Sequence, residues 1–187
     1  MSIPYFFGYG SLVNRRTHGY GDIQPARLTG WRRVWRQTTY APRPILTVEP
    51  CVGVSIDGLI AHVPNDDWNE LDQREHAYDR VSVNGAVAHE LQAPTDIATY
   101  TVPLGKHGAS DALHAIYLSY LDVVVQGYLA EFGTEGVRSF FDTTVGWEAP
   151  IRNDRAAPLY PRHQKLSPDE VQLVDSELAR IGSQVLL

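Results

Sequence analysis

Two stretches of the chain carry residue types that can do chemistry. The first is Tyr5-Phe6-Phe7-Gly8-Tyr9-Gly10-Ser11-Leu12. Two glycines one residue apart, directly after an apolar run, let the backbone turn sharply and approach another group closely. Successive exposed N–H groups in such a turn form a concavity for an anion, and a carboxylate suits it well. The alternative is an ordinary strand-to-loop turn that binds nothing. The second is Glu75. On a helix over residues 66–78, Trp68, Leu71 and Glu75 share one face. The carboxylate then points with the apolar side chains, toward the core. Asp72 lies near the same edge, while Asn69, Glu70, Gln73 and Arg74 spread toward solvent. Burial disfavours the charged form and raises a carboxyl pKa, which is what a general base or acid needs. The competing reading is a structural Glu paired with a buried arginine such as Arg80 or Arg32.

Other chemistries lack local support. Gly8-x-Gly10 is not a dinucleotide fingerprint, because position 13 is Val13, and there is no Gly-Lys-Ser/Thr phosphate loop. Ser11 is not on a nucleophile elbow, since Tyr9 and Val13 stand where glycines are required. The seven histidines form no His-x-His or His-Glu-x-x-His pair, so no metal is expected. Cys51, the single cysteine, reads as a small core filler. It cannot close an intrachain disulfide, so a reducing, cytoplasmic setting is expected.

The elements that must position these residues are legible in outline. The chain has 187 residues and a formal net charge of −6, which fits one domain over residues 1–187 and argues against a duplex-DNA or other nucleic-acid partner. A hydrophobic fraction of 43% with four Trp is enough for a real core. No run approaches a membrane span, and Met-Ser-Ile-Pro-Tyr does not resemble a signal peptide. The first half reads as strands: residues 3–7, 26–39, 52–63 with a bend or bulge at Gly58, and 98–104. Asn84-Gly85 between two alternating runs over residues 80–88 predicts a type I′ hairpin. The second half reads as helices. One is capped by Ser110 and runs to about Phe132, and one is capped by Thr134 and runs to about Thr143. A last helix is opened by Ser167-Pro168-Asp169-Glu170, a capping box with Pro at the first helical position. It carries Val171, Val174, Leu178 and Ile181 on one face and stops at Gly182. Residues 147–165 stand apart, with Pro150, Pro158, Pro161 and little periodicity. Their aromatic and basic content predicts an ordered loop lying over something. Tyr160 and Arg162 are its candidates for contact with a ligand, against the alternative of a strap tying the last helix to the barrel.

Together these residues carry a resemblance. Tyr9-Gly10-Ser11-Leu12 after an apolar strand, then Leu71-Asp72-Gln73-Arg74-Glu75 and Tyr78-Asp79-Arg80-Val81, resembles the γ-glutamylcyclotransferase superfamily, with its AIG2-like and ChaC-like members. The resemblance covers roughly residues 3–104. It implies a mixed α/β (α+β) fold: a small closed or nearly closed β-barrel of about six strands with flanking α-helices. It also implies an intramolecular reaction, in which the α-amine of a γ-glutamyl group attacks its own γ-carbonyl to give 5-oxoproline and a released amine or amino acid. Carried over, Tyr9, Gly10, Ser11 and Leu12 bind the γ-glutamyl moiety, Tyr78 belongs to the second anchor and the substrate pocket, and Glu75 is the acid/base. The substrate holds both nucleophile and electrophile, so no cofactor is implied and the partner is a small γ-glutamyl molecule. Monomer and homodimer fit equally well. Where glutathione-specific ChaC-like proteins have Gly-Gly-Tyr, this chain has His76-Ala77-Tyr78, so the resemblance leaves open whether glutathione is a substrate. Two other readings use the same residues: a non-catalytic module binding a small carboxylate, and a γ-glutamyl amide hydrolase acting on a larger metabolite.

Overall fold

The structure, a computed structural model, describes residues 2–110 and 113–186. The first apolar run forms β1 (Ile3–Gly8), buried on both faces. Side chains alternate along a strand, so Tyr5 and Phe7 enter the main core. Phe6 joins a second cluster with Leu12, Ala61, Val63, Leu71 and Tyr100. β2 (Gln24–Arg36) and β3 (Ile45–His62) then pair antiparallel, with an irregularity where Thr29↔Ser55 gives way to Trp31↔Pro50. After α1 (Asn69–Arg74) come β4 (Asp79–Ser82), β5 (Val87–Ala88) and β6 (Thr95–Thr101). The C-terminal part comprises β7 (Ile116–Tyr117), α2 (Leu118–Asp142), β8 (Thr144–Val145), β9 (Ile151–Arg152), α3 (Pro168–Arg180) and β10 (Val185–Leu186). The main sheet has the order β4-β6-β1-β3-β2-β5, with β8 also on β2, and curls into a half-barrel flanked by the helices. β1 and β6 run parallel, and the other pairs on that path are antiparallel. A small parallel sheet, β10-β9-β7, lies beside it.

Four local expectations change. Asn84-Gly85 does not make a hairpin: β4 pairs with β6 and β5 with β2, at opposite edges of the sheet. Only Gly85 has positive φ, whereas a type I′ turn requires it at both central residues. The Asn84 side chain is instead tied to β6, through Asp96 and Ile97 N–H. The turn carries the chain from one edge of the half-barrel to the other, drawing the edges together where Val83 N–H reaches Ile97 O and Thr29 N–H reaches Ala86 O. Gly58 does not bend its strand: β3 runs through it, and a Cβ there would meet Gly8 O at 2.4 Å. Its smallness serves the close approach of β1. The helix expected from Ser110 starts at Leu118, because Ile116 and Tyr117 are drawn into the small sheet; residues 111 and 112 of that expectation lie outside the described residues. The helix expected from Thr134 is continuous with it across a break at Gly133, φ +64°. The capping box of α3 forms as expected, with Val174 and Leu178 buried. Residues 147–165 contain one short strand, β9, and are otherwise irregular.

Candidate active site

The turn after β1 is where the strand, the barrel and α2 converge. Ser11–Val13 form a single 3₁₀ turn, all three buried. Gly10 is needed there because a Cβ would stand 2.8 Å from the Tyr120 hydroxyl. Gly127 lets α2 press on the next residues, since a Cβ would meet Asn14 N at 2.7 Å. Asn14 answers by donating to Val123 O and Gln126 Oε1, both at 3.0 Å. Beneath the turn lies Arg33, only 1% exposed. Its Nε donates to Tyr9 O at 3.1 Å, and its other nitrogens reach Asp57 O, Thr143 Oγ1 and the Tyr128 hydroxyl. Every acceptor is neutral. The Tyr128 oxygen also lies 2.9 Å from Tyr9 O, so the peptide that opens the turn is held from two sides. Burial pushes the Tyr128 phenol up to about 12.

Glu75 stands opposite. It is the residue that ends α1, its N–H bonded to Leu71 O. Leu71 is fully buried, so the face shared by these two residues does turn inward, and 16% of the Glu75 side chain remains exposed. Its partner is neither Arg80 nor Arg32. Those pair with Asp72 at 3.5 Å and Glu49 at 2.7 Å. The partner is the adjacent Arg74, Nε to Oε1 at 3.1 Å. Arg74 was expected in solvent, but its side chain is 9% exposed. It folds back because Thr17 O, Thr17 Oγ1 and Ser11 Oγ accept from it at 2.9, 3.3 and 3.3 Å. One guanidinium thus touches both the carboxylate and the turn. Burial raises the Glu75 pKa, opposed by the charges of Arg74 and Arg162. Asp72 is engaged elsewhere, accepting from the Tyr100 hydroxyl at 2.5 Å.

Between the two walls is a narrow recess of about 30 Å³, lined by Tyr9, Gly10, Ser11, Leu12, Leu46, Glu75, Tyr78, Tyr100 and Tyr120 among others. Beside it is an outer cleft of about 280 Å³ that shares Ser11, Glu75, Tyr78 and Tyr120 and adds Arg43, Tyr160 and Arg162. Tyr9, Gly10 and Leu12 line the recess, Tyr160 and Arg162 line the outer cleft, and Ser11, Glu75 and Tyr78 line both. The Tyr9 hydroxyl donates to Tyr100 O at 2.6 Å and that of Tyr78 to Leu46 O at 3.0 Å. Burial, with Glu75 nearby, holds the phenols of Tyr9, Tyr78 and Tyr120 neutral. Sequence reading missed Arg74, Arg43 and Tyr120. Arg74 stands inside the second anchor of the resemblance but its helix position reads as solvent-facing, Arg43 lacks any pattern signal, and Tyr120 is one of several aromatic residues on an apolar helix. Trp35 also lines the outer cleft, and its buried indole N–H has no acceptor among the described residues. Among the described residues no three His, Cys, Asp or Glu side chains gather as a metal site would require. No described helix is long and apolar enough to cross a membrane.

Residues 6–117 match the gamma-glutamyl cyclotransferase, AIG2-like family, and the chain belongs to it. Solved structures share the fold. One is a gamma-glutamyl cyclotransferase with 15% identity and TM-score 0.57, covering 94% of this chain and 99% of that one. Another is an uncharacterized Homo sapiens protein with 16% identity and TM-score 0.56, covering 91% and 97%. A third is YkqA from Bacillus subtilis with 20% identity and TM-score 0.56, covering 78% of this chain and 57% of that one. No curated protein sequence matches the chain.

Proposed function

We propose that the protein is a γ-glutamyl cyclotransferase-type enzyme that closes a γ-glutamyl group to 5-oxoproline and releases an amine or amino acid. One observation carries the reading: a partly buried carboxylate, Glu75, and the Tyr9–Leu12 turn border the same recess, joined by Arg74. The α-amino group of the substrate titrates near 8, at about the value of a peptide terminus, so a base must take its proton. Glu75 accepts it. The freed nitrogen attacks the γ-carbonyl carbon, and a ring C–N bond forms. Protonated Glu75 then gives that proton to the leaving nitrogen as the original amide C–N bond breaks, and the second proton, shed by the ring nitrogen, passes by way of Glu75 to the released amine, which departs as an ammonium. Backbone N–H groups of the turn hold the substrate carboxylate or the developing oxyanion. Binding both reacting groups in one bent molecule supplies most of the rate, since effective molarities reach about 10⁵ M or more.

Arg43 and Arg162 favour an amino acid over a simple amine as the leaving group. Both border the outer cleft and, among the described residues, neither has a carboxylate partner. A leaving-group carboxylate would supply one. The test is incubation with γ-glutamyl dipeptides, γ-glutamyl amines and glutathione, followed by assay of 5-oxoproline. Free glutamate in its place would mean hydrolysis. Binding without turnover would mean a carboxylate-binding module.

A further inference from the structure

The segment between β9 and α3 brings Tyr160 and Arg162 to the outer cleft without regular structure of its own. Something must hold its backbone, and the centre of that hold is Asp154, 6% exposed. Its Oδ1 accepts from Ser119 N–H at 2.8 Å. Its Oδ2 accepts from the Ser119 hydroxyl at 2.5 Å and from Leu159 N–H at 2.8 Å. The Ser119 oxygen in turn accepts from Tyr160 N–H at 3.1 Å. Ser119 lies in the first turn of α2, whose own N-cap residue, Tyr117, supplies no side-chain bond. A carboxylate 35 residues downstream therefore caps the helix, and its charge sits where the helix dipole favours it.

The same bonds place two walls of the cleft. Tyr120 directly follows Ser119, and Tyr160 directly follows Leu159. The two rings meet edge to face, with centroids 5.0 Å apart. Arg162 lies two residues beyond, close enough for its charge to act on Glu75. Arg155 fastens the segment independently, through two bonds to Asp122 at 2.7 and 2.8 Å and one to Asp175 at 2.7 Å. The anchor at Asp154 thus governs the few residues that face the cleft, and the anchor at Arg155 governs the segment's attachment to the helices.

We propose that Asp154 is a positioning residue for leaving-group recognition. It does not border the cleft; it sets Tyr160 and Arg162 against Tyr120, and through them the discrimination between carboxylate-bearing and neutral leaving groups. This rests on the cyclotransferase reading given above, so one readout is chosen that needs no substrate. Asp154→Asn keeps shape but loses the charge and at least one of the three bonds. Ser119→Ala is milder: it removes the bridge to Tyr160 N–H and keeps the helix cap. Amide hydrogen exchange, measured without ligand, should quicken about tenfold or more at Tyr160 in both variants and at Leu159 in Asp154→Asn, with β1 and β3 unchanged. In steady state, Asp154→Asn should raise KM for γ-glutamyl-alanine about tenfold with kcat within about twofold, and should leave KM for γ-glutamyl-ethylamide nearly unchanged. Added to Arg162→Ala, it should change KM for γ-glutamyl-alanine by less than about twofold, because both changes remove the same contact. Unchanged exchange at these amides overturns the proposal. So does an equal KM rise for the two substrates, or full multiplicativity with Arg162→Ala. A wild-type chain that releases no 5-oxoproline from either substrate overturns the activity and the recognition role together, while the exchange rates still decide whether Asp154 holds the cleft wall.

Discussion

As the base of the proposed reaction, Glu75 must be ionised in a place that resists ionisation. Burial raises its pKa, and Arg74, at 3.1 Å, opposes the rise. A base must be charged to act, so kcat/KM should fall as pH drops through a value above the ordinary carboxylate range. Arg74→Gln removes the opposing cation and should move that acid limb to higher pH; a limb that stays in place would show that Arg74 does not tune the base. Glu75→Gln should lower turnover by about 10²–10⁴-fold with the fold intact, and near-normal rates would place the base elsewhere. The same substitution has a consequence for stability. A carboxyl whose folded pKa is raised contributes its stability below its unfolded pKa and loses it as pH rises through the folded one. Glu75→Gln should therefore melt higher than the wild type near neutral pH, and the gap should close as pH falls below the ordinary Glu range. A gap that widens on acidification would mean that the Arg74 contact outweighs burial.

At the scale of elements, the site depends on how closely α2 approaches the turn after β1. Gly127 is the point of contact, with the backbone of Val13 and Asn14 within 2.9 Å of an added Cβ. Backbone cannot swing aside as a side chain can, so Gly127→Ala should cost about 1–3 kcal/mol and also disturb substrate binding, because Gly10–Leu12 lie just upstream. Gly133 provides the contrast. An added Cβ there meets nothing within 4 Å, but its φ of +64° and ψ of −167° suit glycine alone. Gly133→Ala should lower the melting temperature through backbone strain, about 1–3 kcal/mol, and leave KM untouched. Melting curves and KM for the two variants separate the mechanisms, and a KM change at position 133 would defeat the distinction.

Across the whole molecule, Arg33 ties β2 to the turn after β1, to β3 through Asp57 O, and to the end of α2 through Thr143. A buried guanidinium with only neutral acceptors is costly to bury and more costly to lose, because its carbonyl partners would be orphaned. Tyr128→Phe leaves Arg33 to satisfy Tyr9 O and Asp57 O, and should cost about 1 kcal/mol. Arg33→Met leaves one hydroxyl to serve both carbonyls and should cost about 2–3 kcal/mol. At about 2–4 °C per kcal/mol for a chain of this size, thermal unfolding resolves the order. The reverse order would show that the hydroxyl, not the guanidinium, is the tie.

The candidate site stood out in the sequence where residue types conflict with local pattern. Two glycines closing an apolar run and a carboxylate on the inward face of a short helix both break the rule that apolar faces stay apolar, and both border the recess. The capping box of α3 and the break at Gly133 were equally readable, because caps and glycines act over a few residues. Tertiary contacts decided the rest. Asn84-Gly85 carries the local signal of a hairpin, but β4 pairs over four positions with β6 and β5 over two with β2, and the Asn84 side chain is held by Asp96 and Ile97 N–H. Arg74 reads as a solvent-facing helix residue, yet three acceptors brought from the turn after β1 hold it inward. Ser110 reads as a helix cap, yet α2 takes its cap from Asp154, a residue in another part of the chain. Short-range chemistry is written in neighbouring residues; which distant group satisfies a donor or an acceptor is decided only when the chain has closed on itself.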